Sequence, residues 1–270
     1  MTIFDRWKIA EQSCTLSSMV TLKTQKQIEA IRAGGKILAA ILRDLAAMAK
    51  PGMQTRELSA RAAQLIKESG AQASFLGYNK YADVICLSVN HQAVHTPGSD
   101  YVLRDGDLLK LDFGIVVDGM HSDSAITVLV AHDPKASEHS EKRRLMQVTR
   151  EALDIGIAEC RVGNTLGDIG AAIQQHVEKN GFTIVRELGG HGIGTKLHEE
   201  PWVANFGKAG EGIKLEAGMV LALEPITSMG KWQIKDGADG FTYDMKDGSL
   251  SAHFEHSVAI TDAGPDILTK

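Results

Sequence analysis

The stretch Leu103–Val128, LRDGDLLKLDFGIVVDGMHSDSAITV, constrains this chain more than any other, because it sets Asp112 inside an apolar run and Asp123 eleven residues later. A buried strand normally excludes a carboxylate, since taking the charge out of water costs several kcal/mol. Asp118-Gly119 is the pair favoured at the centre of a two-residue type I′ turn. With that turn Val117 faces Met120 and Asp123 faces Gly114. Asp112 then lies diagonal to Asp123 on the same face, with Gly114 leaving room between the acids. Two ionised carboxylates so placed need a cation.

The pattern recurs. Leu103–Asp112 (LRDGDLLKLD) and Leu215–Glu224 (LEAGMVLALE) share L-x-x-G-x-[LV]-L-x-L-acid. Gly52 and Gly163 precede, and Gly70 and Gly181 follow, two short helical patterns in which Leu58, Ala62 and Ile66 match Ile169, Ile173 and Val177. The common spacing predicts two similar halves, about 21–130 and 131–265, each of helices followed by a hairpin. The expected fold is α+β, two pseudo-symmetric helix-plus-hairpin halves with a central antiparallel sheet and outer helices. The sheets of the halves are expected back to back, with a site between them.

Local signals fill in the elements. Ile28, Ile31, Ile37, Leu38, Ile41, Leu42 and Leu45 recur at helical spacing between Thr24 and Lys50, where Pro51-Gly52 stops the run. A second helix is expected from Thr55 as N-cap to Gly70. Two more are expected over Ser140–Cys160 and from the N-cap Thr165 to Asn180, with Gly181 as the stop. Strands are expected over Ala82–Asn90, Phe182–Leu188, Gly218–Pro225 and Phe254–Thr261, besides the hairpin Leu103–Val130.

Glu224 occupies in the second half the slot of Asp112, and Glu255 is a fourth acid among strand-like residues. GGHGIGTKLHEEP adds His191 between glycines and His198 after it. Four carboxylates carry four negative charges, which two divalent cations nearly cancel in a low-dielectric site, so two metals are expected rather than one. Oxygen-rich ligation with one imidazole suits Co, Mn, Fe or Zn and not a cysteine-type structural zinc. Such ions bring the pKa of water toward neutrality and so make a nucleophile. A single acid in a strand is more often at a solvated edge than a ligand, and a glycine-flanked histidine is more often a turn residue. The combination, with related acids on both halves, carries the reading. Glu199 and Glu200 are read as solvent-facing charges, and His91 and His121 as structural or surface residues.

The net charge of −5 is spread over 29 basic and 34 acidic residues with no basic stripe, which argues against nucleic acid as a partner. No window approaches the ~18 apolar residues of a membrane span. The first residues lack the order of a signal peptide. Cys14, Cys86 and Cys160 form no paired motif and read as reduced thiols of a cytoplasmic protein. Residues 1–20 carry no clear period and are expected to be an N-terminal extension of a single catalytic domain, 21–270. Whether Met19 is an alternative start stays open.

LDFGIVVDGMHSD, GGHGIG-x-x-x-HEEP, LEPI and FEHSVAIT stand in the order and spacing of type I methionine aminopeptidases, and the chain from Val20 to Lys270 resembles that family of pita-bread metallopeptidases. The resemblance implies removal of N-terminal methionine from nascent proteins by a dinuclear metal centre. Its ligands fall on Asp112, Asp123, His191, Glu224 and Glu255. It implies catalytic and substrate-contacting roles for His95 and His198, proton transfer through Glu224, and a methionine pocket at Phe75, Tyr78, Tyr81, Cys86, Leu197 and Phe241. Many bacterial members carry Cys where Phe75 stands, Gly at Thr96, Phe at Leu197 and Trp at Phe241. These departures bear on the width of the pocket and the setting of His95, not on the metals. The absence of a long insertion between the halves favours type I over type II. The resemblance further implies a monomer that meets nascent chains at the ribosome. The competing readings are a proline-directed peptidase of the same fold, which usually carries a large extra N-terminal domain, and a binding protein that has lost its metals.

Overall fold

A computed structural model describes residues 20–270. The expected extension therefore falls, apart from Val20, outside the described residues. The first half contains α1 (Gln25–Met48), α2 (Thr55–Ser69), β1 (Gln72–Ala73), β2 (Cys86–Val89), β3 (Gln92–Val94), β4 (Asp107–Val117) and β5 (Met120–Val130). The second contains α3 (Ser140–Ala158), α4 (Leu166–Lys179), β6 (Thr183–Ile184), β7 (Gly190–Gly192), β8 (Glu199–Val203) and β9 (Val220–Leu223). It continues through β10 (Ile226–Ser228), β11 (Ile234–Asp236), β12 (Tyr243–Met245), β13 (Ser251–His253), β14 (Glu255–Thr261) and β15 (Gly264–Ile267).

Capping chemistry sets the helix starts. Thr24 and Gln27 form a capping box at α1, and Thr165 and Asp168 form one at α4. The α2 expectation is corrected by one residue. Gln54 is the N-cap, and the Thr55 hydroxyl instead donates to Ser99 O at 3.1 Å and accepts from Ser99 N at 2.9 Å. Three strands are shorter than expected: only Cys86–Val89 of 82–90, Thr183–Ile184 of 182–188 and Val220–Leu223 of 218–225 pair.

The hairpin has the expected register, with Val117 opposite Met120 and Gly114 opposite Asp123. Asp118 and Gly119 hold φ of 49° and 74°, as a type I′ turn requires. The room at Gly114 is taken by Ser74, whose Cβ would lie 3.1 Å from a Cβ added there.

The repeat is visible in the backbone. Gly52 and Gly163 have φ of 92° and 93°, Gly70 and Gly181 of 76° and 79°, and Gly106 and Gly218 of 86° and 94°. Gly52 N donates to Leu103 O and Gly163 N to Leu215 O; Gly106 N donates to Val130 O and Gly218 N to Ile260 O. These bonds make β9 and β14 the counterparts of β4 and β5. In the second half the pair is antiparallel but not a hairpin, because β10 to β13 intervene between its strands.

The halves do not stack back to back. One sheet runs β1-β4-β5-β14-β9-β7-β8, and the halves join edge to edge where Ala125 pairs with Glu255 and Ser124 with His256. Edge-to-edge joining satisfies the open edges of both strand pairs with ladder hydrogen bonds, which face-to-face stacking would leave unpaired. Each half keeps its own apolar core under its helices. Leu38, Leu45 and Leu58 pack with Leu109, Leu111 and Phe113, while Leu145, Ile169 and Ile173 pack with Leu221, Leu223 and Val258. Odd-numbered residues of β4 thus face the helices, and its even-numbered residues, Lys110 and Asp112 among them, face the other way.

Candidate metal centre

Five neighbouring strands each deliver one residue: Asp112 from β4, Asp123 from β5, Glu255 from β14, Glu224 at the end of β9 and His191 from β7. His191 can stand there because its neighbours lack side chains. A Cβ on Gly190 would meet Ala222 O at 2.1 Å, and one on Gly192 would meet Glu200 O at 2.3 Å, so β7 fits between β8 and β9 only as Gly-His-Gly.

Asp123, His191 and Glu255 offer ligand atoms that all lie within 4.8 Å of one another. His191 Nε2 is 3.7 Å from Glu224 Oε1. Asp112 lies opposite Cys86 in the β2–β4 ladder. Burial pushes all four carboxyls above their usual range, and the mutual repulsion of the acids pushes Asp123, Glu224 and Glu255 further. No lysine or arginine pairs with any of them among the described residues. Asp123 Oδ1 and Glu255 Oε1 are buried without a hydrogen-bond partner. Such orphaned oxygens call for a cation or a proton.

His191 is set up as a donor of lone pairs. Burial pulls its pKa down to about 4, and Nδ1 lies 2.9 Å from Gly192 O. A neutral ring that donates from Nδ1 carries its lone pair on Nε2, toward Glu224. His198 packs edge-on against His191, with ring centroids 4.3 Å apart, and its Nδ1 is 2.8 Å from Tyr78 Oη. Burial and the neighbouring histidines hold it well below its usual pKa, so Nδ1 accepts from the tyrosine and Nε2–H is free to donate. His95 sits at φ 64° just after β3, its pKa pulled by burial to about 4, and its ring centroid is 5.6 Å from that of Tyr243.

The pocket residues separate into two groups. Phe75 and Phe241 each meet Tyr81 edge-on, at 6.4 and 5.4 Å between centroids, and the Tyr81 hydroxyl donates to Ile85 O. Cys86 is buried next to Ile85, and Leu197 is buried next to His198. Tyr78 belongs with His198 rather than with the Tyr81 cluster.

Two residues escape sequence reasoning. His253 is buried with both ring nitrogens unpartnered, and its Nε2 lies 3.6 Å from Glu224 Oε2. Its place two residues before Glu255 is the only signal that the sequence offers. Glu199 is not solvent-facing as expected: its side chain is 10% exposed and takes the ammonium of Lys23, 2.6 Å away, because the chain entering α1 crosses this loop.

A family profile, metallopeptidase family M24, matches residues 29–262. The chain belongs to the M24 metallopeptidases. It is 45% identical to a methionine aminopeptidase of Clostridium perfringens over 93% of this chain and 99% of that one. It is 40% identical to methionine aminopeptidase 1 of Bacillus subtilis over 93% and 100%. The crystal structure of methionine aminopeptidase from Thermotoga maritima superposes with a TM-score of 0.89 at 36% identity, covering 93% of this chain and 100% of that one. That likeness makes the curled antiparallel sheet with outer helices the pita-bread fold. Divalent metal use goes with the M24 family, and the buried acids, the neutral imidazole and the two orphaned oxygens fit it.

Proposed function

We propose that this chain hydrolyses the first peptide bond of peptides and nascent proteins that begin with methionine, using two divalent ions held by Asp112, Asp123, His191, Glu224 and Glu255. The observation that carries the reading is the convergence of four buried acids and His191 from five adjacent strands, with oxygens left unpartnered. When bound, the ions supply Lewis acidity toward the scissile carbonyl and toward water. Glu224 lies between His191 and His253 and accepts the proton released as water attacks. His198, oriented by Tyr78, donates from Nε2 to the carbonyl oxygen as it gains charge, a contact typically worth ~3–4 kcal/mol. His95 holds the scissile amide. The Phe75–Tyr81–Phe241 cluster, with Cys86 and Leu197, receives the apolar methionine side chain. We place the enzyme, as a monomer, in a reducing cytoplasm beside the ribosome; the free buried thiols of Cys86 and Cys160 support the compartment.

Hydrolysis of Met-Ala-Ser by protein loaded with Co, Mn, Fe or Zn, measured against chelator-treated protein and against Xaa-Pro peptides, tests the reading. Metal-dependent release of methionine with Xaa-Pro left intact is expected. Equal cleavage by stripped protein would refute it.

A further inference from the structure

Among the described residues Lys110 is the largest fully buried side chain, 1% exposed, and the mechanism above does not use it. It projects from β4 on the same side as Asp112. Its Nζ donates to Asn90 O at 2.7 Å, Ser251 O at 3.2 Å and Ser251 Oγ at 3.1 Å. The Ser251 hydroxyl reaches Asn90 O at 3.1 Å and Gln92 O at 3.4 Å. The ammonium thus closes a cage of main-chain and hydroxyl oxygens in which it makes no contact with a carboxylate.

The two walls of the cage lead to the site. Asn90 lies in the turn before β3, which Gln92 opens and which ends in Val94 immediately before His95. Ser251 opens β13, which ends at His253, and Glu255 two residues later opens β14. Two further β5 side chains hold that second wall: Thr127 Oγ1 donates to His253 O at 2.7 Å, and Ser124 Oγ to Glu255 O at 2.7 Å. Lys110 bonds both walls at once, reinforcing the direct bonds that the Ser251 amide and hydroxyl make to Asn90 O.

We propose that Lys110 is a positioning residue, a tethered cation whose oxygen cage fixes the His95 segment and the His253–Glu255 segment relative to Asp112. Two carbonyl oxygens and one hydroxyl oxygen converge on the ammonium, whose three donors and lack of an acceptor match them. A neutral side chain of the same length would delete the ammonium's three bonds, leave Ser251 alone to tie Asn90, and so loosen the walls. Small displacements of a reacting group cost turnover steeply, up to roughly a hundredfold per ångström.

The proposal rests on the peptidase reading, and its test separates the two. Turnover of Met-Ala-Ser by the unsubstituted protein tests the reading alone. In Lys110→Met, kcat is expected to fall roughly tenfold or more with KM little changed. Hydrogen exchange of the amides of 90–95 and 251–255 in the metal-free protein is expected to speed up. Ammonium or methylammonium chloride should restore kcat and slow the exchange in a saturable manner, while tetramethylammonium chloride at the same ionic strength should do neither. A merely structural loss would not respond to the size of the cation. Unchanged kcat in Lys110→Met, or a loss that ammonium does not reverse, overturns the proposal. If Lys110→Met fails to fold, Ser251→Ala keeps the ammonium and removes one oxygen of the cage. Parent-like turnover and parent-like exchange at 90–95 in that variant would equally overturn it.

Discussion

Lys23 Nζ lies 2.6 Å from Glu199 Oε2, with the two side chains 3% and 10% exposed, so an ion pair withdrawn from water ties the entrance of α1 to the residue after His198. Burial raises the Glu199 pKa, but the Lys23 ammonium and the Lys196 amide more than offset it, and the carboxyl titrates below its usual range. Removing one partner strands the other charge, so Lys23→Met should cost about 3–5 kcal/mol in urea unfolding. The sign of the pH dependence follows from the depressed folded pKa. The pair's stabilisation is complete above the unfolded value near 4.3 and disappears as pH falls through the folded value. Urea titrations between pH 3 and 7 should therefore show parent and variant converging at the acid end. A constant gap would count against the pair.

The metal-free protein should show the opposite trend. Asp112, Asp123, Glu224 and Glu255 all have folded pKa values above the unfolded ones, because burial disfavours all four charges and the neighbouring acids, Asp112 among them, further disfavour those of Asp123, Glu224 and Glu255. The folded state therefore binds more protons, and stability falls as pH rises from the unfolded values near 4 toward the folded ones. Chelator-treated protein should lose melting temperature between pH 5 and 8, and divalent metal should restore it. Asp112→Asn removes one of the four charges. It should stabilise the stripped protein at pH 8 by about 1–3 kcal/mol while abolishing metal uptake, measured by elemental analysis. Destabilisation of the stripped variant would refute the repulsion.

Much of this centre was legible in the sequence. The Asp118-Gly119 turn dictated the register that sets Asp123 opposite Gly114, and the spacing of the glycines revealed the two halves. What was not legible is long-range. The joining of β5 to β14 depends on which sheet edges are left open, a property of the assembled halves rather than of either segment. The burial of Lys110, the pairing of Lys23 with Glu199 and the place of His253 against Glu224 each join residues far apart in the chain or within an irregular stretch, where periodicity carries no signal.

The contact between His198 and Tyr78 separates binding of metal from catalysis. His198→Ala should retain the metal content of the parent and lose roughly a hundredfold or more in kcat, as when one oxyanion donor is removed. Tyr78→Phe keeps the ring against His198, 5.1 Å between centroids, but deletes the hydroxyl donor that fixes the tautomer. Its kcat should fall by about fivefold, the worth of one ordinary hydrogen bond. Equal losses in the two variants would show that the hydroxyl acts on its own rather than through the imidazole.

Tyr81 stands between Phe75 and Phe241, touching both edge-on, so the two phenylalanines should act on the pocket through a shared neighbour. Truncating Phe241 to Ala removes an aromatic wall that is only half-buried, and the methionine side chain then loses apolar contact that it has in ground and transition state alike. KM for Met-Ala-Ser should rise about tenfold with kcat nearly unchanged, and discrimination against norleucine and leucine should narrow. Phe75→Ala should act in the same direction. The double variant should cost less than the sum of the singles, because Tyr81 loses its fixed setting once either ring is gone; a coupling of about 0.5–1.5 kcal/mol is expected. Steady-state kinetics on the four proteins of this cycle gives the coupling directly. Strict additivity would mean that the two rings line the pocket independently.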